Sequence, residues 1–185
     1  KQTFRYTWDP PYPKDGPTLV LATPGEWTAT LTVSDRLAPP VTVVHTLSVL
    51  PLTIAGQVKH TDAWEANRIR YNQKHPNDQR PADWFWAGEA FVLEAVTTDT
   101  GESATKAVEV TADAGGGLRK ALTAADAPVF SRWGGMLLGE DAGMDLSKLP
   151  EGDYTFVFQV KYSNGVIKTD PVTITIKGTV DEYVQ

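Results

Sequence analysis

The chain has 185 residues, of which 41% are hydrophobic and 22% are charged, and its formal net charge is −6. This length suits one large domain or two small ones, and the ordinary composition excludes a chain that is disordered throughout. An acidic surface repels phosphate backbones, which excludes nucleic acid as an expected partner, and no apolar run reaches the roughly 18–20 residues of a membrane span.

The first fifty residues predict four β-strands separated by proline-containing turns. The predicted strands are residues 3–8, 18–22, 26–34 and 41–50. The third alternates strictly, with apolar side chains from Trp27 to Val33 on one face and Thr or Ser on the other, as in a half-buried antiparallel strand. The fourth alternates similarly and places His45 on its apolar face, where we expect a core or interface histidine rather than a catalytic base.

Two motifs in this region resemble a known family. The runs YTWD (residues 6–9) and PGEWTATLTVSD (residues 24–35) are similar to strand motifs of PKD-like immunoglobulin domains. The resemblance covers residues 1–50 and implies an immunoglobulin-like β-sandwich from an extracellular or cell-surface protein of bacteria or archaea. Such modules act as spacers, adhesion units or accessory domains, so the resemblance implies an architecture rather than a chemistry.

The predicted strands of residues 1–50 are too few for a complete sandwich of this type, which needs about seven strands over roughly 100 residues. Either the chain starts inside a domain, or another chain supplies the missing strands. The second alternative requires an exposed sheet edge, and Val- and Thr-rich edges are templates for strand pairing. We therefore predict a partial domain over residues 1–50 and a second unit over residues 51–185.

The second unit predicts another immunoglobulin-like sandwich, interrupted by an insertion at residues 60–88. Its predicted strands are residues 52–59, 89–98, 104–111, 118–125, 128–133, 136–138, 154–162 and 172–177. Asn164 and Gly165 favour a tight hairpin between the last two. The predicted fold class is therefore all-β, with two antiparallel immunoglobulin-like sandwiches in tandem and a short helix in the second.

The helix is predicted inside the insertion. Trp64, Arg68 and Tyr71 recur at helical spacing, and Thr61 or Asp62 is a candidate N-cap. This pattern predicts a helix over residues 62–72.

The insertion also carries the candidate ligand-binding residues. The candidates are Trp64, Arg68, Tyr71, Trp84 and Trp86. Aromatic rings that stack on sugar CH groups, beside polar groups that bind hydroxyls, make a carbohydrate-binding surface. The alternative is that the insertion folds over the open end of the sandwich and its aromatic side chains fill the core.

No residue pattern in the chain requires catalysis or a cofactor. The sequence has no cysteine and no Gly-x-Ser-x-Gly nucleophile elbow. His60, Asp62 and Glu65 lie close in sequence but lack the further ligands of a zinc site. Structural calcium is the better metal hypothesis, although no EF-hand loop is present and solvated loop carboxylates are the simpler interpretation. Its candidate ligands are Asp141, Asp145 and Asp153, or Asp9 and Asp15.

We therefore predict a non-catalytic structural or adhesion module at the cell surface or outside the cell. It would be a subunit of a surface filament or of a multidomain surface protein, assembled by β-strand complementation. Its expected partners are other protein chains or neighbouring domains of the same protein. The alternative is a carbohydrate-binding module whose insertion, residues 60–88, binds cell-surface glycans.

Overall fold

The structure is a computed structural model, and it describes residues 4–9, 24–35, 37–98, 105–125 and 131–180. The chain separates into two compact units, Lys1–Pro51 and Leu52–Gln185. Both are built mainly from β-strands, which confirms the predicted all-β class. The predicted strand at residues 18–22 lies outside the described residues.

The first unit contains a three-stranded antiparallel sheet. Its strands, in the order of the sheet, are β1 (Arg5–Asp9), β2 (Gly25–Ser34) and β3 (Val41–Val49). The register places side chains of the same kind on the same face of neighbouring strands. Leu31 lies opposite Val43 on the apolar face, and the hydroxyl oxygens of Thr32 and Thr42 lie 3.2 Å apart on the other.

The apolar face of this sheet is only partly covered. Ala29 of the central strand is buried, whereas Val41, Val43 and Leu47 of β3 are 62%, 43% and 42% exposed. His45 shares their face and is exposed as well, so a core position for this histidine is wrong. The reason is that no residue of β3 is buried on either face of the strand. An interface position for His45 stays a prediction.

The second unit consists of two sheets. The four-stranded sheet has the order β4 (Ile54–Lys59), β6 (Phe91–Thr97), β10 (Ser131–Leu137) and β9 (Thr123–Ala125). The five-stranded sheet has the order β5 (Trp84–Ala87), β12 (Ile167–Thr179), β11 (Gly152–Tyr162), β7 (Ala107–Asp113) and β8 (Arg119–Ala121). Among these strands β5 and β12 pair in parallel; the other described pairs are antiparallel.

Apolar side chains of both sheets form the core of the second unit. Leu93 of β6 and Phe156, Phe158 and Val160 of β11 are fully buried. Along β11 buried and exposed positions alternate, as the period of two in the sequence predicts. A hydrogen bond also joins β11 to the residue before β4, where the Tyr162 hydroxyl donates to the Thr53 carbonyl at 2.6 Å.

The predicted helix and the predicted hairpin are confirmed. Helix α1 (Asp62–Lys74) has Thr61 as its N-cap, and its end lies two residues beyond the prediction. The hairpin joins β11 to β12. A short helix α2 (Gly139–Ala142) and a 3₁₀ turn (Leu146–Lys148) were not predicted. No helix among the described residues combines the length and the apolar composition of a membrane span.

Three other strand predictions need correction. Residues 118–125 form β8 and β9, which belong to different sheets, because buried Leu122 interrupts the strand between them. The described parts of the segments predicted at 128–133 and 136–138 belong to one strand, β10, except for Leu138, which is the N-cap of α2. Strand β5 was missed because three consecutive residues, Phe85 to Ala87, are buried, which erases the period of two.

A substitution at Gly56 of β4 tests how closely the two sheets pack. A Cβ atom at this position would lie 2.3 Å from two ring carbons of Phe158, which is fully buried. We expect Gly56→Ala to destabilise the second unit by about 1–3 kcal/mol, the usual cost of overpacking a core. Urea unfolding followed by tryptophan fluorescence measures the change.

Gly134→Ala is the matched control for this substitution. The nearest atom to a Cβ there is the Leu93 carbonyl oxygen at 3.9 Å, an ordinary contact. We expect its free energy of unfolding to stay within about 1 kcal/mol of the wild type. Equal losses in the two variants would contradict the close approach at Gly56.

Candidate functional site

The Trp-rich insertion packs along the edge of the five-stranded sheet where β5 pairs with β12. Two aromatic side chains of α1 lie against Trp86 of β5. The ring centroids of Trp64 and Trp86 are 5.5 Å apart, and those of Tyr71 and Trp86 are 5.9 Å apart in an edge-to-face arrangement. The insertion therefore shares its aromatic cluster with the sheet.

A β-bulge in β12 shapes this edge. The register between β5 and β12 shifts between Ile176 and Thr179, and Gly178 has a φ of 71°, which glycine adopts without steric cost. The Gly178 amide donates to the Glu151 carboxylate at 2.7 Å. Such bulges redirect neighbouring groups, and here the Lys177 carbonyl becomes available to a side chain of the insertion.

That side chain is Arg80, the central residue of the site. Its Nη2 donates to the Phe85 carbonyl of β5 at 3.1 Å and to the Lys177 carbonyl of β12 at 2.6 Å. The guanidinium lies 3.9 Å from the centroid of the Trp86 ring, a cation–π contact. Burial lowers the pKa of Arg80, but its ordinary value is high enough to keep it charged.

Helix α1 fixes the backbone of Arg80. The Asn72 side chain accepts from the Arg80 amide at 2.7 Å and donates to the Arg80 carbonyl at 2.9 Å. Arg68 donates to the same carbonyl at 2.8 Å and is held in place by Glu65 at 2.6 Å. The hydrogen bond from Arg68 lowers the pKa of Glu65. Arg68 therefore has a positioning role.

A buried His–Glu pair supports β5 from within the core. Nδ1 of His60 lies 2.8 Å from Oε2 of Glu89, and their side chains are 2% and 0% exposed. Glu89 also accepts from the Trp86 amide at 2.8 Å, and the His60 ring stacks on Phe85 with centroids 4.0 Å apart. The pair thus ties the start of the insertion to the residue that follows its end.

The residues of the zinc hypothesis bond to different protein groups. His60 is bonded to Glu89, whereas Glu65 is bonded to Arg68. Within the described ranges, no three His, Cys, Asp or Glu side chains converge as a metal ion would require.

Three of the candidate calcium ligands have hydrogen-bond partners in the described part of the chain. Asp141 accepts from Lys120 at 2.6 Å, and this hydrogen bond lowers the pKa of Asp141. Asp145 accepts from the amide of Ser147 at 3.0 Å, and Asp153 accepts from the Thr175 hydroxyl at 2.7 Å. Asp15 and the side chain of Asp9 lie outside the described residues.

A cavity of about 280 Å³ opens beside Arg80. Its lining residues are Tyr71, Asp78, Arg80, Trp84, Trp86, Glu151, Lys177 and Gly178. The Tyr71 hydroxyl donates to Asp78 at 2.9 Å, which raises the pKa of Tyr71. Nζ of Lys177 lies 4.4 Å from the Trp84 ring centroid. Aromatic faces, two cations and two carboxylates thus surround one small space.

The structure brings together three of the five predicted site residues. Tyr71, Trp84 and Trp86 line the cavity, whereas Trp64 packs behind Trp86 and Arg68 binds the Arg80 backbone. Trp86 is only 3% exposed, so its ring acts mainly as core. Trp84 is half-buried and has the more accessible ring.

Sequence reasoning missed five of the lining residues. They are Asp78, Arg80, Glu151, Lys177 and Gly178. They come from three separate segments, and only the parallel pairing of β5 with β12 brings them to one edge. The only local signal was the number of polar residues between α1 and β5, which by itself is typical of a loop.

Comparison of the chain with models of known protein families, with curated proteins and with solved structures gave no match. The chemistry of the site therefore rests on its own side chains.

Removal of the Arg80 side chain tests its bridging role. Arg80→Ala removes the Arg80 donor from the Phe85 and Lys177 carbonyls, and an unsatisfied buried polar group costs about 1–3 kcal/mol. We expect a loss of about 2–4 kcal/mol in the free energy of unfolding, measured by urea denaturation.

The control is Arg70→Ala, which removes an exposed guanidinium of α1 that bonds to Asn67. We expect it to change stability by no more than about 0.5 kcal/mol. A similar small effect of Arg80→Ala would show that Arg80 does not hold the insertion to the sheet.

Proposed function

We propose that the chain is a non-catalytic structural or adhesion module of an extracellular or cell-surface protein, and that it joins other chains by β-strand addition. The observation that carries the proposal is the edge of the first unit's sheet at β3, which is open among the described residues. Strand β3 is exposed from Val41 to Ser48, and among the described strands it pairs only with β2. An unpaired apolar edge is a template for another strand.

The strand order of the second unit supports an immunoglobulin-like sandwich within this proposal. When the strands are lettered in chain order, the two sheets have the orders A-B-E-D and A′-G-F-C-C′, the arrangement of immunoglobulin domains. The extracellular setting is inferred from the PKD-like resemblance of residues 1–50. A surface filament or a multidomain surface protein is the assembly in which such modules would be joined.

Two side chains give this interpretation further support. The hydroxyl of Tyr154, at the start of β11, donates to the Pro150 carbonyl at 2.9 Å, as in the tyrosine corner of immunoglobulin-like domains. Phe156, two residues further on, packs against Phe91 with ring centroids 5.6 Å apart. Apolar contact thus holds the two sheets together here in a chain that has no cysteine.

Hydrogen exchange tests the open edge. In the dilute monomer we expect the amides of β3 to exchange faster than those of β2, because β2 is bonded to a strand on each side. Peptide-level exchange mass spectrometry measures the difference, with β11 as the protected reference. Equal protection of β2 and β3 in the monomer would mean that the edge is already covered, and the proposal would fail.

A second candidate function is carbohydrate binding at the Arg80 cavity. Its support is that Tyr71, Trp84 and Trp86 meet there beside Asp78 and Glu151. Aromatic rings suit sugar CH groups, and carboxylates accept from sugar hydroxyls.

Two tryptophan variants separate this function from a core role. We expect Trp84→Ala to abolish binding to a glycan array while the melting temperature stays within about 2–3 °C of wild type. Trp86→Ala should instead cost about 3–5 kcal/mol of stability, because its ring is buried. If wild type binds no glycan, or if Trp84→Ala binds like wild type, the second candidate is wrong.

A further inference from the structure

We propose that β3 pairs with the β3 of a second copy of this chain, antiparallel and about a two-fold axis that passes between the two His45 residues. This inference rests on the proposed function and names the strand that pairs with the edge of β3. The contact is isologous, since the same strand of both copies forms it.

The sequence of β3, VTVVHTLSV, is complementary to itself about its central residue. With His45 opposite His45, apolar residues meet apolar ones and hydroxyls meet hydroxyls at most positions. The pairs are Val41 with Val49, Thr42 with Ser48, Val43 with Leu47, and Val44 with Thr46. Cross-strand pairs of these kinds stabilise a sheet.

This register also keeps each face continuous across the contact. Side chains alternate along a strand, so an antiparallel pairing centred on a residue aligns like faces of the two copies. Val43 and Leu47 already share a face with Leu31 and Trp27 of β2. The two three-stranded sheets would therefore merge into one sheet with a single apolar face.

The lack of charged residues in β3 favours its pairing with a second copy. None of the residues 41–50 is Lys, Arg, Asp or Glu, so identical strands meet without like-charge repulsion. Natural sheets usually protect edges with charged side chains, prolines or bulges. Strand β3 has none of these protections over its nine residues, and its register with β2 is unbroken.

The other described edges are less suited to pairing. Strand β1 is five residues long and contains Arg5 and Asp9. In the second unit, Arg80 bridges β5 to β12, and the Gly56 amide of β4 is bonded to Asp170 at 2.8 Å. The edge strands β8 and β9 have only three residues each.

Single cysteines test the register directly, because the wild-type chain contains none. In the proposed dimer the two copies of position 45 face each other at about 4.5–5.5 Å between Cα atoms, within the range of a disulfide. We expect His45→Cys to form disulfide-linked dimers under mild oxidation.

The matched controls use the ends of the strand. Two copies of position 42 lie six positions apart, about 20 Å, so Thr42→Cys alone should stay monomeric on a non-reducing gel. A mixture of Thr42→Cys and Ser48→Cys should cross-link, because these positions face each other.

Sedimentation over a dilution series supplies the independent readout. We expect wild type to form a dimer that dissociates on dilution. His45→Lys, which places two ammonium groups opposite each other, should raise the dissociation constant at least tenfold without changing the monomer's melting temperature. Gln159→Lys, at an exposed position of β11, should leave the dissociation constant unchanged.

A wild type that stays monomeric at high concentration, or dimers in which position 45 does not cross-link, would overturn the pairing of two β3 strands. The proposed function is judged separately by hydrogen exchange. A fast-exchanging β3 edge in such a monomer would leave strand addition by a different protein chain as the supported interaction.

Discussion

Two hydrogen bonds from one guanidinium hold the candidate site together. Arg80 binds a carbonyl of β5 and a carbonyl of β12 where the ladder between these strands is interrupted. Because its charge is buried against Trp86, these bonds form where water competes little, and losing them would be costly. The insertion, the bulge and the cavity all depend on this contact, since each contains a residue that it fixes.

The same sequence pattern has two different outcomes in the two units. Strands β3 and β11 both alternate apolar and polar residues, yet Phe156 and Phe158 of β11 are buried while Val43 of β3 is 43% exposed. Alternation determines which side chains share a face. Whether that face is covered depends on a second layer. The proposed pairing of two β3 strands concerns the free edge of the sheet rather than its face.

The Trp-rich insertion combines the two roles that its sequence left open. Trp86 fills the core beneath Arg80, while Trp84 lines a cavity whose other groups come from α1, the loop after it, β12 and the turn before β11. Composition alone cannot separate these roles, because a buried ring and an exposed ring use the same residue type. Their difference follows from the neighbours of each ring: Trp64, Tyr71 and Arg80 pack on Trp86, whereas Lys177 lies over Trp84.

By itself, the sequence determined the features that depend on neighbouring residues. These are the β class, the helix that begins after its N-cap Thr61, the hairpin at Asn164 and Gly165, and the apolar face of β3. The tertiary structure alone decided the parallel pairing of β5 with β12, the pairing of His60 with Glu89, and the place of Arg80 between two strands. These contacts join residues far apart in the chain, and the periodicity of neighbouring residues carries no information about contacts between distant ones.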